Sequence, residues 1–344
     1  MNILMVGPGS KEKGGIATVI SNFQKYYNHN EHKLLFLSSW SEEHKWQTMC
    51  KAFWLIRRKI KQEKIEIVHF HVAQKGSFFR KALLRKLVPK ECKVIFHMHA
   101  SQFDVFYQKS SWIVRLWIRK TLNKVDSIVA LSQNWAEFYE GITDAPVAVI
   151  QNAVHIPKSS LYNMESTTIV TFGKIGKRKG SYDLLKIAKE IEKEFPKIDF
   201  ILYGDGEIEK LTQQIEVEQI NNVSIGGWIN QDKKEEVLKN MLLHFLPSYH
   251  EGLPMAILET MAAGIPNLTT SVGGIPEAID HEKNGLLTEP GDRSEMINQL
   301  YRFLRSSTLQ KKYGECARKT IKEDFSIERY HEKWSSLYIK LVKF

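Results

Sequence analysis

The stretch HEGLPMAILETMAAGIP, residues 250–266, places a turn and the start of a helix between two carboxylates. Pro254 suits the first turn of a helix, and Glu259 then lies inside that helix, eight positions after Glu251. At about 1.5 Å per residue, the two carboxylates lie roughly 10–12 Å apart. This is too far for the paired acid and base of glycoside hydrolysis, which need about 5–9.5 Å. The spacing favours one extended ligand that is held at two points.

Two glycine-containing segments accompany this block. In SVGGIPEAI, residues 271–279, the amides of Gly273 and Gly274 precede a helical turn, an arrangement that favours phosphate. In TFGKIGKRKG, residues 171–180, a strand runs into a basic loop, whose cations would hold a diphosphate and stabilise it as a leaving group. These cations are Lys174, Lys177, Arg178 and Lys179.

A third such segment, GPGSKEKGGIATVI at residues 7–20, follows the first apolar run. It places Gly14 and Gly15 at the start of a helix. The glycine spacing is not the GxGxxG of dinucleotide-binding enzymes, so the sequence disfavours a nicotinamide-binding fold.

Short apolar runs alternate with longer helical patterns on both sides of these segments. This alternation predicts an α/β fold built on doubly wound parallel sheets. The predicted strands are Asn2–Gly7, Lys33–Leu37, Ile65–Val72, Lys93–His99, Ser127–Leu131, Val147–Gln151, Thr168–Phe172, Asp199–Tyr203, Asn222–Ile225, Leu242–Leu246 and Pro266–Thr269.

A polar stretch without periodicity divides the alternation into two halves. We predict a first Rossmann-like domain over 1–157, a linker over 158–166 and a second Rossmann-like domain over 167–326. The helical pattern at 327–344 is expected to join the first domain. Two facing sheets of this kind would enclose a cleft, with ligands at the carboxyl ends of the strands.

The positive charge of the chain is concentrated in its first half. The formal net charge is +10, yet residues 1–160 contain 24 Lys and Arg against 12 Asp and Glu, and the rest contain 25 against 27. So uneven a distribution indicates that one half meets an anionic surface or polymer.

Four histidines alternate in two pairs at predicted strand ends. Within each pair, His69 with His71 and His97 with His99, both side chains point to one face of the sheet. No carboxylate pattern accompanies them, so a metal site is disfavoured. One of them is expected to make a polar contact in an active site, and the others to pack in the core.

The remaining composition indicates a cytosolic chain. Cys50, Cys92 and Cys316 lie far apart and form neither a CxxC nor a pairing pattern, as is typical of reduced thiols. No apolar run reaches the roughly 18 residues of a membrane span. The start, MNILMVG, lacks the basic region of a signal peptide and predicts a first strand.

Taken together, these motifs resemble those of the family 4 retaining glycosyltransferases, which have the two-domain GT-B architecture. The resemblance spans nearly the whole chain, and its specific part is the E-x7-E block with the GGIPE that follows. The other matching stretches are GGIATVI, VIFHMHA, NAVHIP, FGKIGKRKG, YGDGE and NGLL. Within this family, the sequence resembles the type that builds bacterial surface polysaccharides.

The resemblance implies a nucleoside diphosphate sugar, with UDP as the favoured nucleotide, bound mainly by the second domain. Glu259 matches the residue that holds the ribose hydroxyls, and Glu251 the one near the donor sugar and phosphate. Lys179 matches the phosphate-binding lysine, whereas Lys174 stands where the family usually has arginine. His99 matches the first-domain histidine near the transferred sugar, with His97 as the alternative.

Further donor contacts follow from the same resemblance, with Gly14 and Gly15 on the phosphate and acceptor side. The catalytic set is then His99, Glu251 and Lys179, and the other donor-binding residues are Gly14, Gly15, Gly173, Lys174, Gly252, Leu253, Glu259, Gly273, Gly274 and Ile275. Family members retain anomeric configuration, and the favoured mechanism is front-face attack. No metal-binding DxD motif is seen, so neither a metal nor another cofactor is expected.

Three basic helical patterns with aromatic residues suit an anionic membrane surface, where each cation contributes about 1 kcal/mol. We therefore expect peripheral binding at the cytosolic face of the membrane and a glycan or polyprenyl-diphosphate-linked acceptor held by the first domain. The predicted surface residues are Trp54, Arg57, Arg58, Lys61, Arg80, Lys81, Arg85, Lys86, Trp112, Arg115, Arg119 and Lys120.

Two alternatives stay open. A nucleic-acid-binding protein would explain the charge, but it leaves the two-glutamate block unexplained, and no nucleic-acid-binding motif is present. A GT-B sugar-nucleotide 2-epimerase would share the fold, although the E-x7-E spacing favours sugar transfer.

Overall fold

The computed structural model describes residues 1–10 and 12–343, which divide into two compact units. The first unit comprises Met1–Asn152 and Ile327–Phe344, and the second comprises Ala153–Ser326. The predicted linker residues lie in the second unit, where the Leu161 amide donates to the carbonyl of Ala263 at 2.8 Å.

The first unit is built on a parallel sheet of six strands, in the order β2-β1-β3-β4-β5-β6. Its strands and helices are β1 (Asn2–Pro8), α1 (Gly15–Tyr26), β2 (Lys33–Trp40), α2 (Lys45–Gln62), β3 (Ile67–Val72), α3 (Gly76–Arg85), β4 (Lys93–Met98), α4 (Phe103–Lys109), α5 (Trp112–Leu122), β5 (Ser127–Ala130), α6 (Gln133–Glu140) and β6 (Val147–Val149).

The second unit repeats this architecture with the strand order β12-β11-β10-β7-β8-β9. Its elements are β7 (Thr168–Phe172), α7 (Ser181–Glu192), β8 (Asp199–Tyr203), α8 (Ile208–Val217), β9 (Val223–Gly227), α9 (Gln231–Leu238), β10 (Leu243–Leu246), α10 (Met255–Ala262), β11 (Asn267–Thr270), β12 (Leu286–Thr288), α11 (Arg293–Leu304) and α12 (Ser307–Asp324). Helix α13 (Ile327–Lys343) completes the first unit.

The central strands are buried on both faces, as parallel sheets require. On one face of the first sheet, Phe70 and Phe96 belong to an apolar core that extends to α2, α3 and α5. On the other face, α13 packs with α1, and the Trp334 ring lies 5.9 Å from that of Phe23. The stripe of aromatic residues in α13 is therefore a packing surface.

The two-domain α/β fold with parallel sheets is confirmed, and the differences are one additional strand and the bounds of some elements. The strand β12 was not predicted, because Leu286–Thr288 is only three residues long and has no periodicity of its own. Pro254 is the N-cap of α10 rather than a residue of its first turn. Glu259 lies inside this helix as predicted.

Candidate functional site

The candidate site of the second unit forms where the order of strands reverses. Strand β7 is the first of this sheet along the chain, and its neighbours β8 and β10 lie on opposite sides of it. Parallel α/β sheets bind ligands in the crevice at such a switch point, beyond the carboxyl ends of the strands. The basic loop follows β7, and the segment containing Glu251 follows β10, so the topology brings the two together.

A buried ion pair joins these two segments. The Lys179 ammonium donates to Glu251 Oε1 at 2.5 Å, and the two side chains are 10% and 6% exposed. Arg178 Nη1 lies 3.7 Å from Glu251 Oε2, and the Ser248 hydroxyl donates to Oε1 at 2.7 Å. Two cations and a hydroxyl thus surround one carboxylate.

These partners keep Glu251 ionised. Burial alone would raise the pKa of its carboxyl, but the charges of Lys179 and Arg178 and the hydrogen bonds from Lys179 and Ser248 outweigh burial, so the pKa lies below its ordinary value. Lys179 is therefore held in place by a fixed negative charge. An incoming phosphate would meet a lysine that is already positioned.

Gly273 brings the backbone of the loop after β11 against this pair. Its φ is +59°, and a Cβ there would lie 2.1 Å from the carbonyl oxygen of Glu251. The next amide, that of Gly274, donates to the carbonyl of Gly252 at 2.6 Å. Only glycine allows this approach at position 273, whereas Gly274 has an ordinary φ of −89°.

Glu259, the second carboxylate of the block, has a cationic partner of its own. Its Oε2 accepts a hydrogen bond from the Lys234 ammonium of α9, which also lies 4.7 Å from the centre of the Phe172 ring. A ligand hydroxyl that binds Glu259 would therefore share the carboxylate with Lys234 or displace it.

The other predicted donor-binding residues of this unit have distinct settings. Gly173 follows β7 with φ +143°, and a Cβ there would lie 3.0 Å from Lys179 Cε. Leu253 and Ile275 are buried, and the Ile275 amide already donates to the carbonyl of Val272 at 3.2 Å. Lys174 is exposed on the same loop and has no ion pair among residues 1–10 and 12–343.

In the first unit, the predicted glycines lie at the start of α1. Gly14 is the N-cap with φ +110°, Gly15 is the first helical residue, and both are exposed. Among residues 1–10 and 12–343, no atom lies within 4 Å of a Cβ built on Gly14, so the described part of the chain leaves space at this helix N-terminus. This position can accept an anionic ligand.

The four histidines do share one face of the first sheet. The rings of His69 and His71 stack at 4.5 Å, and those of His97 and His99 lie 3.9 Å apart. His71 Nδ1 and His99 Nε2 are hydrogen bonded at 3.0 Å. His97 is fully buried against Trp334, whereas His99 is partly exposed, so of the two candidates only His99 reaches the surface.

The histidines at this face carry no charge near neutral pH. Burial and, to a smaller extent, the charge of Lys81 together lower the pKa of His99 to about 3. Ring nitrogens of His69, His71 and His97 come within 4.8 Å of one another. However, both nitrogens of His69 are hydrogen bonded, to Tyr338 and His97, and its ring is nearly parallel to that of His71. This geometry suits a packed, hydrogen-bonded stack better than convergence on one ion.

Nine of the twelve predicted surface residues are exposed, on α2, on α5 and just after the end of α3. Trp54 is 86% exposed and Trp112 73%, and the structure adds Trp46 at 74%. The three helices form one face, because Phe79 of α3 stacks on Trp117 of α5 at 5.0 Å and α3 also contacts α2.

The prediction for Lys81 was wrong. Its side chain is buried, with 1% exposed, and cannot touch a membrane surface. Periodicity placed it among cations, but α3 turns this position towards the interior. Five other predicted surface residues are partly engaged within the protein. Arg57, Arg85 and Arg115 donate to backbone carbonyls, Arg58 donates to the Gln62 side chain, and Arg80 lies over the Trp40 ring.

No helix among the described residues combines the length and apolar character needed to cross a membrane.

The sequence did not identify Ser248 or Lys234 as parts of the site. Ser248 stands three positions before Glu251, and this spacing is the signal that was available. Lys234 is one of two adjacent lysines in the polar helix α9, and nothing in the sequence distinguishes it from Lys233.

Two doubly wound parallel sheets, with a cation–carboxylate pair and glycine amides at the switch point of the second, define a GT-B enzyme that transfers sugar from a nucleotide sugar. Two family models match the chain accordingly. The model described as Glycosyltransferase Family 4 matches residues 14–157, and that described as Glycosyl transferases group 1 matches residues 155–320. The protein belongs to these glycosyltransferases.

Individual relatives agree with this assignment. The chain is 26% identical over 328 residues to the UDP-Gal:alpha-D-GlcNAc-diphosphoundecaprenol alpha-1,3-galactosyltransferase of Escherichia coli, covering 86% of this chain and 83% of that protein. It is 26% identical to an uncharacterized glycosyltransferase of Haemophilus influenzae, covering 62% of this chain and 61% of that protein. The crystal structure of Anabaena HepE in complex with UDP-glucose superposes with a TM-score of 0.77 at 17% identity, covering 99% of this chain and 100% of that one.

Proposed function

We propose that the protein is a retaining, metal-independent hexosyltransferase that moves a sugar from a UDP-sugar to a glycan or lipid-linked acceptor. Its setting would be polysaccharide, capsule or glycoconjugate biosynthesis at the cytosolic face of the membrane. The observation that carries the proposal is the buried Lys179–Glu251 pair at the switch point of the second sheet. The E. coli relative named above, a UDP-galactose enzyme with a diphosphoundecaprenol-linked acceptor, supports the choice of both substrates.

In this proposal the donor diphosphate binds to Lys179 and to the amide of Gly273, and the Gly274 amide takes part only if it leaves the carbonyl of Gly252. The cation offsets the charge that develops on the leaving diphosphate, which is the role that a metal ion has in other enzymes. The acceptor attacks from the face that the diphosphate leaves, and the diphosphate oxygen takes the acceptor proton. Glu259 binds the ribose, and His99 of the first unit contacts the transferred sugar.

A binding experiment tests the donor assignment. Calorimetric titration with UDP-glucose, UDP-galactose and UDP-N-acetylglucosamine should give saturable binding of at least one of them, without added metal and in the presence of EDTA. Glu259→Gln should weaken that binding at least tenfold, because a neutral amide is a weaker acceptor for a ribose hydroxyl than a carboxylate is. The exposed Glu235→Gln, on the neighbouring α9, is the control and should bind as the wild type does.

Unchanged affinity of Glu259→Gln would remove Glu259 from the ribose site. The anomeric configuration of the product, read by NMR of the purified glycan, tests retention, and an inverted product would contradict the mechanism. Turnover of the sugar nucleotide without any acceptor would favour a sugar-nucleotide 2-epimerase instead.

The proposed membrane face consists of α2, α3 and α5. Exposed tryptophans beside arginine and lysine suit an interface in which aromatic rings enter the headgroup region and cations meet anionic lipid. The full chain should cosediment with phosphatidylglycerol vesicles, and binding should fall as salt rises. Trp54→Ala combined with Trp112→Ala should weaken binding, whereas Trp228→Ala, at an exposed tryptophan of the second unit, should not. Equal binding to neutral vesicles at any salt would refute the membrane assignment.

A further inference from the structure

Lys81 is a buried cation without a counterion. It lies on α3 between Phe78 and Ala82, which pack in the apolar core, and only 1% of it is exposed. Among residues 1–10 and 12–343, its ammonium makes no ion pair and no hydrogen bond. A charge is seldom buried in a protein unless it is paired. We therefore expect the Lys81 ammonium to pair with an anion from outside the chain.

The surroundings of Lys81 add positive rather than negative charge. Burial, and then the charge of Arg80, lower the pKa of Lys81 to about 7, and no carboxylate opposes these effects. His71 and His99 are close enough for the charge of Lys81 to lower the pKa of both. Histidine is either neutral or positively charged, so neither ring can compensate the ammonium.

Arg80 brings a second cation to the same end of α3. Its guanidinium lies 4.2 Å from the centre of the Trp40 ring, and its Nε is buried without a hydrogen bond. A Cβ built on Gly76, the first residue of α3, would lie 3.2 Å from Arg80 Nη1. The guanidinium is therefore beside the helix N-terminus, where the positive end of the helix dipole also favours an anion.

The place in the fold agrees with a ligand site. The first sheet reverses its strand order between β1 and β3, and the loop after β3 leads directly into α3. This is the switch point of the first unit, the position at which such sheets bind ligands. The phosphate-binding candidates of the donor, Lys179, Gly273 and Gly274, belong to the second unit.

We propose that Lys81 and Arg80, with the first amides of α3, bind the phosphate or diphosphate group of the acceptor. The inference rests on the proposed glycosyltransferase function and names the chemical class of its acceptor. An acceptor diphosphate brings two negative charges to two cations, and it offers oxygens to the helix amides and to the unpaired Arg80 Nε. Its arrival would also restore the proton on Lys81, since a neighbouring anion favours the charged form.

The test is calorimetric titration of the full chain with isopentenyl diphosphate in the presence of saturating UDP, which occupies the donor site. The wild type should bind this second diphosphate, and Lys81→Met should bind it at least tenfold more weakly. Lys90→Met, at an exposed lysine of the same unit, removes the same charge and should bind as the wild type does. Isopentenol, which lacks the anion, should not bind to any of them.

Lys81→Met should fold, because methionine has a similar length and suits apolar surroundings; its melting temperature should equal or exceed that of the wild type. If it does not fold, Arg80→Met provides the same readout with a smaller change in the core. Wild-type affinity for isopentenyl diphosphate in the folded variants would overturn the proposal. Weakened binding of UDP with unchanged binding of isopentenyl diphosphate would also overturn it, because the site would then serve the donor.

The outcome is separable from that of the proposed function. A wild-type protein that transfers no sugar, but binds isopentenyl diphosphate through Lys81, would refute the transferase and leave the anion site standing. Conversely, the wild type could transfer sugar equally well to acceptors with and without the diphosphate, with no effect of Lys81→Met. That result would refute the anion site and leave the transferase function standing.

Discussion

Replacing Lys179 with methionine should destabilise the protein, because the buried Glu251 carboxylate would lose its main positively charged partner. Breaking a buried ion pair by removing one partner costs about 3–5 kcal/mol. Glu251 would keep Arg178 at 3.7 Å and the Ser248 hydroxyl at 2.7 Å. We therefore expect a loss near the lower end of the range, about 3 kcal/mol.

The loss should depend on pH. In the wild type the pKa of Glu251 lies below its ordinary value, so the carboxylate stabilises the fold above that value and this contribution is lost as the pH falls through the folded-state pKa. Without Lys179, burial raises the pKa of Glu251. Its carboxyl is then protonated at a higher pH, so the difference between variant and wild type should be largest near pH 7 and shrink as the solution becomes acidic.

Urea unfolding followed by circular dichroism, at pH 7 and at pH 4.5, measures this loss for Lys179→Met, Glu251→Gln and the double variant. The double variant removes both charges, so it should be more stable than the two single losses predict, with a coupling of about 2 kcal/mol or more. If the stability losses of the two single variants simply add in the double variant, Lys179 and Glu251 are not energetically coupled. A loss below about 0.5 kcal/mol for Lys179→Met would likewise show that the pair behaves as an exposed ion pair rather than a buried one.

Three further changes test individual contacts. Gly273→Ala should destabilise the protein by at least about 2 kcal/mol more than Gly227→Ala in urea unfolding. Both glycines have positive φ, but only at Gly273 would the added Cβ clash with a backbone oxygen, so equal losses of stability would exclude the clash. The free energy of unfolding of the wild type, relative to that of Lys81→Met, should rise by up to about 1.4 kcal/mol per pH unit from pH 7 towards pH 10. In that range the unfolded chain keeps the Lys81 proton and the folded chain does not. Parallel pH profiles of stability for the two proteins would contradict the burial of this charge. Ser248→Ala should cost about 1.5–3 kcal/mol in the same unfolding assay, as expected for a hydrogen bond to a charged group, and no loss would show that the Ser248 hydroxyl does not stabilise the Glu251 carboxylate.

The buried lysine and the membrane face show how the excess charge of the first half is divided. Trp54, Arg58 and Lys61 are exposed on α2 and belong to the proposed membrane face, whereas Lys81 faces inward. Counting charges along the sequence assigns all of them to one surface. The structure separates an outer set suited to lipid headgroups from an inner pair suited to a single anion.

The sequence by itself determined the architecture and the segments that build the donor site. Alternating apolar runs and helical patterns predict two parallel α/β domains because burial on both faces imposes continuous apolar strands, a local property of the chain. Gly273 could be recognised as well, because its positive φ of +59° favours glycine at that position of the sequence. The turn and helix around Glu259 follow from equally local rules.

Only the tertiary structure decided which of these residues meet. Lys179 and Glu251 are 72 positions apart and become partners because β7 and β10 are neighbours in the sheet. Of His97 and His99, packing against α13 buries the first and leaves the second accessible. Lys81 resembles its exposed neighbours in sequence, and its burial depends on how α3 rotates against the core. Ion pairing, burial and pKa are properties of the assembled environment, so a pattern along the chain does not specify them.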